Sequence, residues 1–393
     1  MRSSLAPSST RLLLSASELG AEEMKFALRP QLHGHDTFAA FAEAHAVCAR
    51  DLIFTQRILH DTFMKDTPAQ VLFYDDFCDG EPTDTAVDKM LGAVREMDFD
   101  RLIAIGGGSI LDSAKVLALS SDADVAGLFA AGVQPGRKVG LVLIPTTCGT
   151  GCEVTCVSVF DFPAIGSKIG KAFDAGFADH AILIDELLSK IPYHIFATSS
   201  ADALVHAMEI YLAPKANAYT DMFCMAAIRS ILQGYMRIVR HGRGVIQQDA
   251  KAYLTASNMA GIALANILAG GVHAIAMHFG SAHHVPHGEA TRLFLPSVFK
   301  IYHRKAPEGK IDDIAKVIAE VLELPADDSD PFDALDALLA QVVPTKRLRD
   351  YGMAEGDVGR YAAKVIETQQ RLLVNNYVAL TNSDIAGVYT ELM

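Results

Sequence analysis

The sequence predicts an α/β N-terminal half built on a parallel sheet, followed by an all-helical C-terminal half. Three observations predict it. Short apolar runs alternate with amphipathic stretches from residue 24 to about residue 185, the pattern of strands crossing over through helices. After Pro192 the short runs stop and long helical patterns take over. Between the third run and the stretch that follows it lies a glycine-rich turn, residues 106–109.

The expected strands are residues 52–55 (LIFT), 71–74 (VLFY), 102–105 (LIAI), 141–144 (LVLI) and 181–184 (AILI). Each is apolar without alternation, which suits a strand buried on both faces. Residues 85–97 supply one amphipathic crossover helix. Helical patterns run over residues 217–239, 248–268 and 311–322. The expected organisation is an extension over residues 1–23, an α/β domain over 24–188 and a helical domain over 189–393.

Composition narrows the function classes. Half of the 393 residues are hydrophobic, enough for two large cores. The net charge is −13 with no basic block, which argues against nucleic acid or an anionic membrane as partner. The most apolar stretch, residues 261–280, is broken by Gly270 and Gly271 and reads as two buried helices rather than a span. Six scattered cysteines form no disulfide pattern and fit a reducing cytoplasm. Cys148, Cys152 and Cys156 read as small residues beside a glycine-rich turn.

The turn GGGS, residues 106–109, opens a helix directly after a strand. Glycines let backbone N–H groups approach a ligand, and a helix N-terminus attracts phosphate. Gly106, Gly107, Gly108 and Ser109 are therefore the expected pyrophosphate cradle, although they are not the G-x-G-x-x-G fingerprint. Thr146, Thr147 and Thr150 follow the next strand at the carboxyl edge, where open parallel sheets bind ligands.

Histidines cluster further on. Of 14 in the chain, five fall in VHAIAMHFGSAHHVPHG, residues 272–288. Asp202 and His206 stand four apart, on one face of a helix. With His273 and His287 they offer one oxygen and three nitrogens, a set for Fe(II) or Zn(II) rather than Ca or Mg.

Taken together these stretches resemble the iron-dependent (group III) alcohol dehydrogenase family: GGGS with Asp112, PTTCGTG with the following Glu and Thr, D-x-x-x-H at 202–206, and His273 with His287. PTTCGTGCEVTCVSV, VPHGEATRLF and QQRLLVNNY resemble its 4-hydroxybutyrate branch. The resemblance covers nearly all of residues 24–393. It implies a dinucleotide-binding α/β domain and a helical domain in a dehydroquinate synthase-like architecture. It implies metal ligands at Asp202, His206, His273 and His287, and cofactor contacts at residues 106–109, Asp112, Thr146, Thr147, Thr150 and Lys168. The expected activity is NAD(P)-dependent oxidation of 4-hydroxybutyrate to succinic semialdehyde, reversibly, or of another small primary alcohol, in a cytoplasmic homodimer or larger homo-oligomer. NAD with NADP as alternative, and Fe(II) with Zn(II) as alternative, are the expected cofactors. A lyase of the dehydroquinate-synthase type and a non-catalytic NAD-binding scaffold rank below this reading.

Two departures stand out. Many family members carry a second His four residues after the third ligand; here Met277 occupies that place and His278 follows, so His278 or solvent is expected to carry the proton. After the first strand, where members that prefer NAD place an Asp, this chain has Gln56 and Arg57, which admits a 2′-phosphate. A far carboxylate on the substrate needs a cation, and Arg371 is the candidate, with His283, Arg292 and Lys300 in reserve. The competing reading pairs Arg371 with Glu367 on a surface.

Overall fold

The structure is a computed structural model and describes residues 25–165, 167–325 and 330–393. The expected extension over residues 1–23 lies outside the described residues.

All five expected strands form, as β2 (Asp51–Thr55), β3 (Gln70–Phe73), β4 (Arg101–Gly106), β5 (Gly140–Pro145) and β8 (His180–Ile184). A sixth, β1 (Gln31–His35), pairs with β8 at the sheet edge. The order is β1-β8-β5-β4-β2-β3, and every pairing is parallel. The central strands are apolar throughout because both faces are covered. Helices Asp84–Arg95 and Gly108–Leu117 bury Val87, Met90, Leu111 and Ala114 against one face. Phe38 and Phe41 of helix Phe38–Ala44 close the other over Ile53, Ile103 and Val142.

An antiparallel hairpin, β6 (Val157–Phe162) and β7 (Ser167–Ala172), stands apart from this sheet. Phe160 and Phe162 pack with Phe129, which also meets Phe173. That aromatic knot holds the hairpin over helix Gly108–Leu117.

No strand follows β8 among the described residues. The helical half is organised around Tyr193–Leu212, in which every residue from Ser200 to Leu212 is buried. A helix apolar on all sides must sit at the centre of its bundle. Helices Ala218–His241, Ala250–Leu264 and His287–Lys305 surround it. The apolar stretch around residue 270 is two helices, Ala250–Leu264 and Gly271–His283, and no helix is long and apolar enough to cross a membrane among the described residues.

Two close approaches lock the halves and their helices. Gly151 takes φ +60° and abuts Gly261: a Cβ on Gly151 would stand 2.3 Å from the Gly261 Cα. Such a backbone-to-backbone contact admits only glycine on both sides. A Cβ on Gly288 would meet the Thr198 carbonyl oxygen at 2.3 Å, so the start of helix His287–Lys305 lies directly against helix Tyr193–Leu212.

Candidate active site

A cleft of about 550 Å3 opens between the carboxyl edge of the sheet, the hairpin and the helical half. Asp202, His206, His273 and His287 all line it. The Gly288 contact brings His287 to the helix that carries Asp202 and His206, and helix Gly271–His283 adds His273. Asp202 lies 3.8 Å from His206 Nδ1 and 3.6 Å from both His273 Nε2 and His287 Nε2. Asp202, His206 and His273 present ligand atoms within 4.8 Å of one another. His287 is partly exposed at the rim, and the other three are buried.

The cluster's electrostatics follow from burial and charge. Burial opposes ionisation of Asp202, but the surrounding imidazoles outweigh it and hold the carboxylate well below its usual range. Burial lowers His206 to about 4 despite Asp202, so its ring is neutral. His206 Nδ1 and His273 Nε2 are buried with no hydrogen-bond partner. Buried polar atoms of that kind are costly unless something satisfies them.

Sequence reasoning missed the residue that aims His273. Glu209 is buried and lies 2.6 Å from His273 Nδ1 through Oε2. Its carboxylate accepts the backbone N–H of Gly270 at 3.0 Å and of Val272 at 2.5 Å. Nδ1 faces Glu209 and Nε2 faces Asp202; burial opposes a charge on the ring, but these two carboxylates outweigh it and raise His273 to about 9. A carboxylate behind the ring is the usual support for a ligating histidine. Thr291 Oγ1 likewise donates to Asp202 Oδ1 at 3.0 Å. The available signal was Glu209 three residues after His206, on the same helix face.

On the sheet side, Gly108, Ser109, Asp112, Thr150 and Lys168 line the cleft. Gly106 and Gly107 precede the helix, and Thr146 and Thr147 sit beside them without lining the cleft. Thr146 N–H donates to the Gly106 carbonyl at 3.0 Å. The glycines differ in purpose. A Cβ on Gly106 would collide with Ile110 at 2.4 Å, whereas one on Gly107 would meet only Thr147, at an ordinary 3.5 Å. Gly106 is thus a packing requirement, while nothing in the protein forbids a side chain at Gly107.

Asp112 is already engaged. It accepts Lys115 Nζ at 3.0 Å and Val159 N–H at 3.1 Å. Lys115 is wholly buried, and it also donates to Thr155 Oγ1 at 3.0 Å and the Val157 carbonyl at 2.7 Å. Lys168 pairs with Glu81. Cys152 and Cys156 line the cleft, but burial raises both thiols above their ordinary value, Cys152 the more strongly, so they stay protonated.

Arg371 lines the cleft beside Met277, with Nη2 3.9 Å from its sulfur. Glu367 pairs with Lys364 at 3.1 Å, so the surface pairing with Arg371 does not form. The reserve cations are committed elsewhere. Arg292 pairs with Asp336 at 3.3 Å, Lys300 with Asp333 at 2.5 Å, and His283 binds the Tyr351 carbonyl and the Tyr361 hydroxyl. His278 is not part of the cleft wall; its ring lies edge-on to Tyr361 at 4.8 Å.

The carboxyl edge of the sheet thus faces a buried carboxylate–imidazole cluster across one cleft, an arrangement suited to a ligand at the edge and a transition-metal ion opposite it. Residues 32–185 match the model described as iron-containing alcohol dehydrogenase, and residues 196–393 match the Fe-containing alcohol dehydrogenase family, C-terminal. The chain belongs to the iron-containing alcohol dehydrogenase family. It is 40% identical over 367 residues to 4-hydroxybutyrate dehydrogenase of Clostridium kluyveri, covering 93% of this chain and 98% of that one. It is 35% identical over 314 residues to the probable alcohol dehydrogenase EutG of Escherichia coli, covering 79% and 77%. The crystal structure of 1,3-propanediol oxidoreductase shares the fold with a TM-score of 0.81 at 23% identity, covering 95% of this chain and 100% of that one. That of sulfoacetaldehyde reductase from Bifidobacterium kashiwanohense in complex with NAD+ gives 0.80 at 23% identity, covering 94% and 99%.

Proposed function

We propose that this alcohol dehydrogenase interconverts 4-hydroxybutyrate and succinic semialdehyde, with NAD as hydride carrier and a divalent ion held by Asp202, His206, His273 and His287. The observation that carries the reading is one cleft holding both the buried, unsatisfied imidazole cluster and the Arg371 guanidinium, which has no ion pair among the described residues. The donor set of one carboxylate and three imidazoles fits Fe(II), with Zn(II) as the alternative. Bound there, such an ion supplies a Lewis acid for the alcohol oxygen, and the nicotinamide supplies the hydride chemistry.

The chain's own residues do the rest. Glu209 and Thr291 fix the orientation of His273 and Asp202. The free N–H groups at the start of helix Gly108–Leu117, with Ser109, receive the pyrophosphate. Leu264, Ile267, Leu268, Ala276 and Met277 wall the cleft and exclude water from the reacting carbon. Arg371 receives the far carboxylate, for which its fork is suited. Proton exchange runs through solvent at the partly exposed His287 rim, because His278 does not reach the cleft.

NAD over NADP is supported by the fate of Arg57. Its guanidinium lies over the Phe73 ring at 4.1 Å and pairs with Asp76 at 2.5 Å, while Asp75 accepts its backbone N–H at 2.7 Å. Two carboxylates beside the cation disfavour a 2′-phosphate. The substrate reading is supported by the 40% identity to a protein named 4-hydroxybutyrate dehydrogenase.

The test compares 4-hydroxybutyrate with 1-butanol in wild type and Arg371→Leu. Losing a charge-assisted contact is worth about 1.5–3 kcal/mol. KM for the acid is therefore expected to rise roughly 10- to 100-fold, with little change for 1-butanol. Equal effects on the two substrates would make Arg371 a structural residue.

A further inference from the structure

Away from the cleft, four imidazoles meet at the edge of the sheet. His33 and His35 stand two apart on β1 and so share a face. The register sets Gln31 opposite His180, which places His180 on that face too. His45 ends helix Phe38–Ala44 and folds back over them. His33 Nε2 lies 3.1 Å from His180 Nδ1, and His35 Nε2 lies 3.3 Å from His45 Nε2. The ring centroids of His33, His45 and His180 are 5.0, 5.1 and 5.5 Å apart.

Nothing else in the neighbourhood claims these nitrogens. Among the described residues none of the four rings has a carboxylate partner. Asp179, the nearest in sequence, is taken by Arg137 and by the Leu141 N–H, and Asp51 is taken by Arg101. Burial, the neighbouring rings and Arg101 all act against protonation, and they lower His45 to about 4. Burial and His33 lower His180 as well, which favours the uncharged, metal-binding form of both rings.

We propose that His33, His45 and His180, with His35 beside them, form a second site for a divalent transition ion of the Zn(II) class. Four imidazole rings without a carboxylate suit Zn(II) and reject Ca or Mg. In a tetrahedral zinc site with bonds of about 2.0–2.1 Å, ligand nitrogens stand about 3.3 Å apart. The two nitrogen pairs already stand at that spacing. The pairs are separate, and among the described residues only Asp202, His206 and His273 already bring three ligand atoms within 4.8 Å of one another. An ion here would therefore have to draw the His45 ring toward His33 and His180, tying β1, β8 and helix Phe38–Ala44 together.

The experiment uses full-length protein dialysed against Zn(II), with metal per chain and melting temperature as readouts. Wild type is expected to hold two equivalents, and His206→Ala to retain the sheet-edge equivalent. His33→Gln/His180→Gln should hold only the cleft equivalent and lose the zinc-dependent rise in melting temperature. A second variant, His45→Gln, keeps the strands intact. It should lose the second zinc equivalent, with its zinc-free melting temperature unchanged. A single equivalent in wild type, or undiminished second-site binding in His45→Gln, overturns the proposal.

Discussion

The two walls of the cleft treat buried charge in opposite ways. On the sheet side, Lys115 is wholly buried and spends its ammonium on Asp112, Thr155 and the Val157 carbonyl. On the helical side, His206 Nδ1 and His273 Nε2 are buried and have no hydrogen-bond partner, with Asp202 no nearer than 3.6 Å. The first arrangement is complete without a ligand and is framework. The second is incomplete, and the missing partner is what the site is built to receive. Burial alone therefore does not mark function here; burial combined with an unsatisfied polar atom does.

The largest expected effect breaks the incomplete wall. His206→Ala or His273→Ala should lose the cleft metal and activity together, because removing one first-shell group collapses divalent affinity. Purified variants that keep a full equivalent of cleft metal would refute the ligand assignment. Next comes the complete wall. Lys115→Met leaves Asp112 charged and buried without its cation, which costs about 3–5 kcal/mol. A fall in melting temperature of about 10 °C is expected, with cleft metal content unchanged. If metal is lost instead, the two walls are not independent.

A smaller effect separates the two neighbouring glycines. Gly107→Val meets no backbone within the protein, so the chain should fold and keep metal. Nicotinamide affinity should fall about 10- to 100-fold, the worth of one charge-assisted hydrogen bond or slightly more. Unaltered affinity by fluorescence titration would move the pyrophosphate elsewhere. The smallest effect is expected at the pair beside the ligands. Met277→Leu conserves volume and should cost under about 1.5 kcal/mol. His278→Ala should leave the rate and its pH profile nearly unchanged; a displaced profile would return the proton to His278.

Much of this was legible from residue order. Four strands announced themselves because strands buried on both faces read as continuous apolar runs, and β3 did so by its apolar sequence although it is half-buried at the sheet edge. Asp202, His206, His273 and His287 were legible because helix periodicity and local clustering put them together. What escaped shares a physical cause. β1 reads QLHGH, polar and glycine-containing, and none of its residues is fully buried. The hairpin strand SKIGKA is polar for a similar reason. Lys115 and Glu209 look like surface charges until the groups around them are placed: Asp112 is only three residues from Lys115, but Thr155, Val157, Gly270 and His273 are remote in sequence. The four-histidine cluster exists only once β1 lies beside β8.

That last pairing has a consequence in time. His33 and His180 are 147 residues apart, and β1 has no other strand neighbour. On a ribosome adding about 5–20 residues per second, β1 emerges roughly 7–30 s before its partner exists. β2, β3, β4 and β5 are all made in that interval and are able to pair among themselves. A hydrophobic first strand would spend the wait as an adhesive, open to neighbouring nascent chains. The histidines and glycine of QLHGH make β1 a poor glue, and the last strand of the sheet then completes the sheet by capturing the first one synthesised.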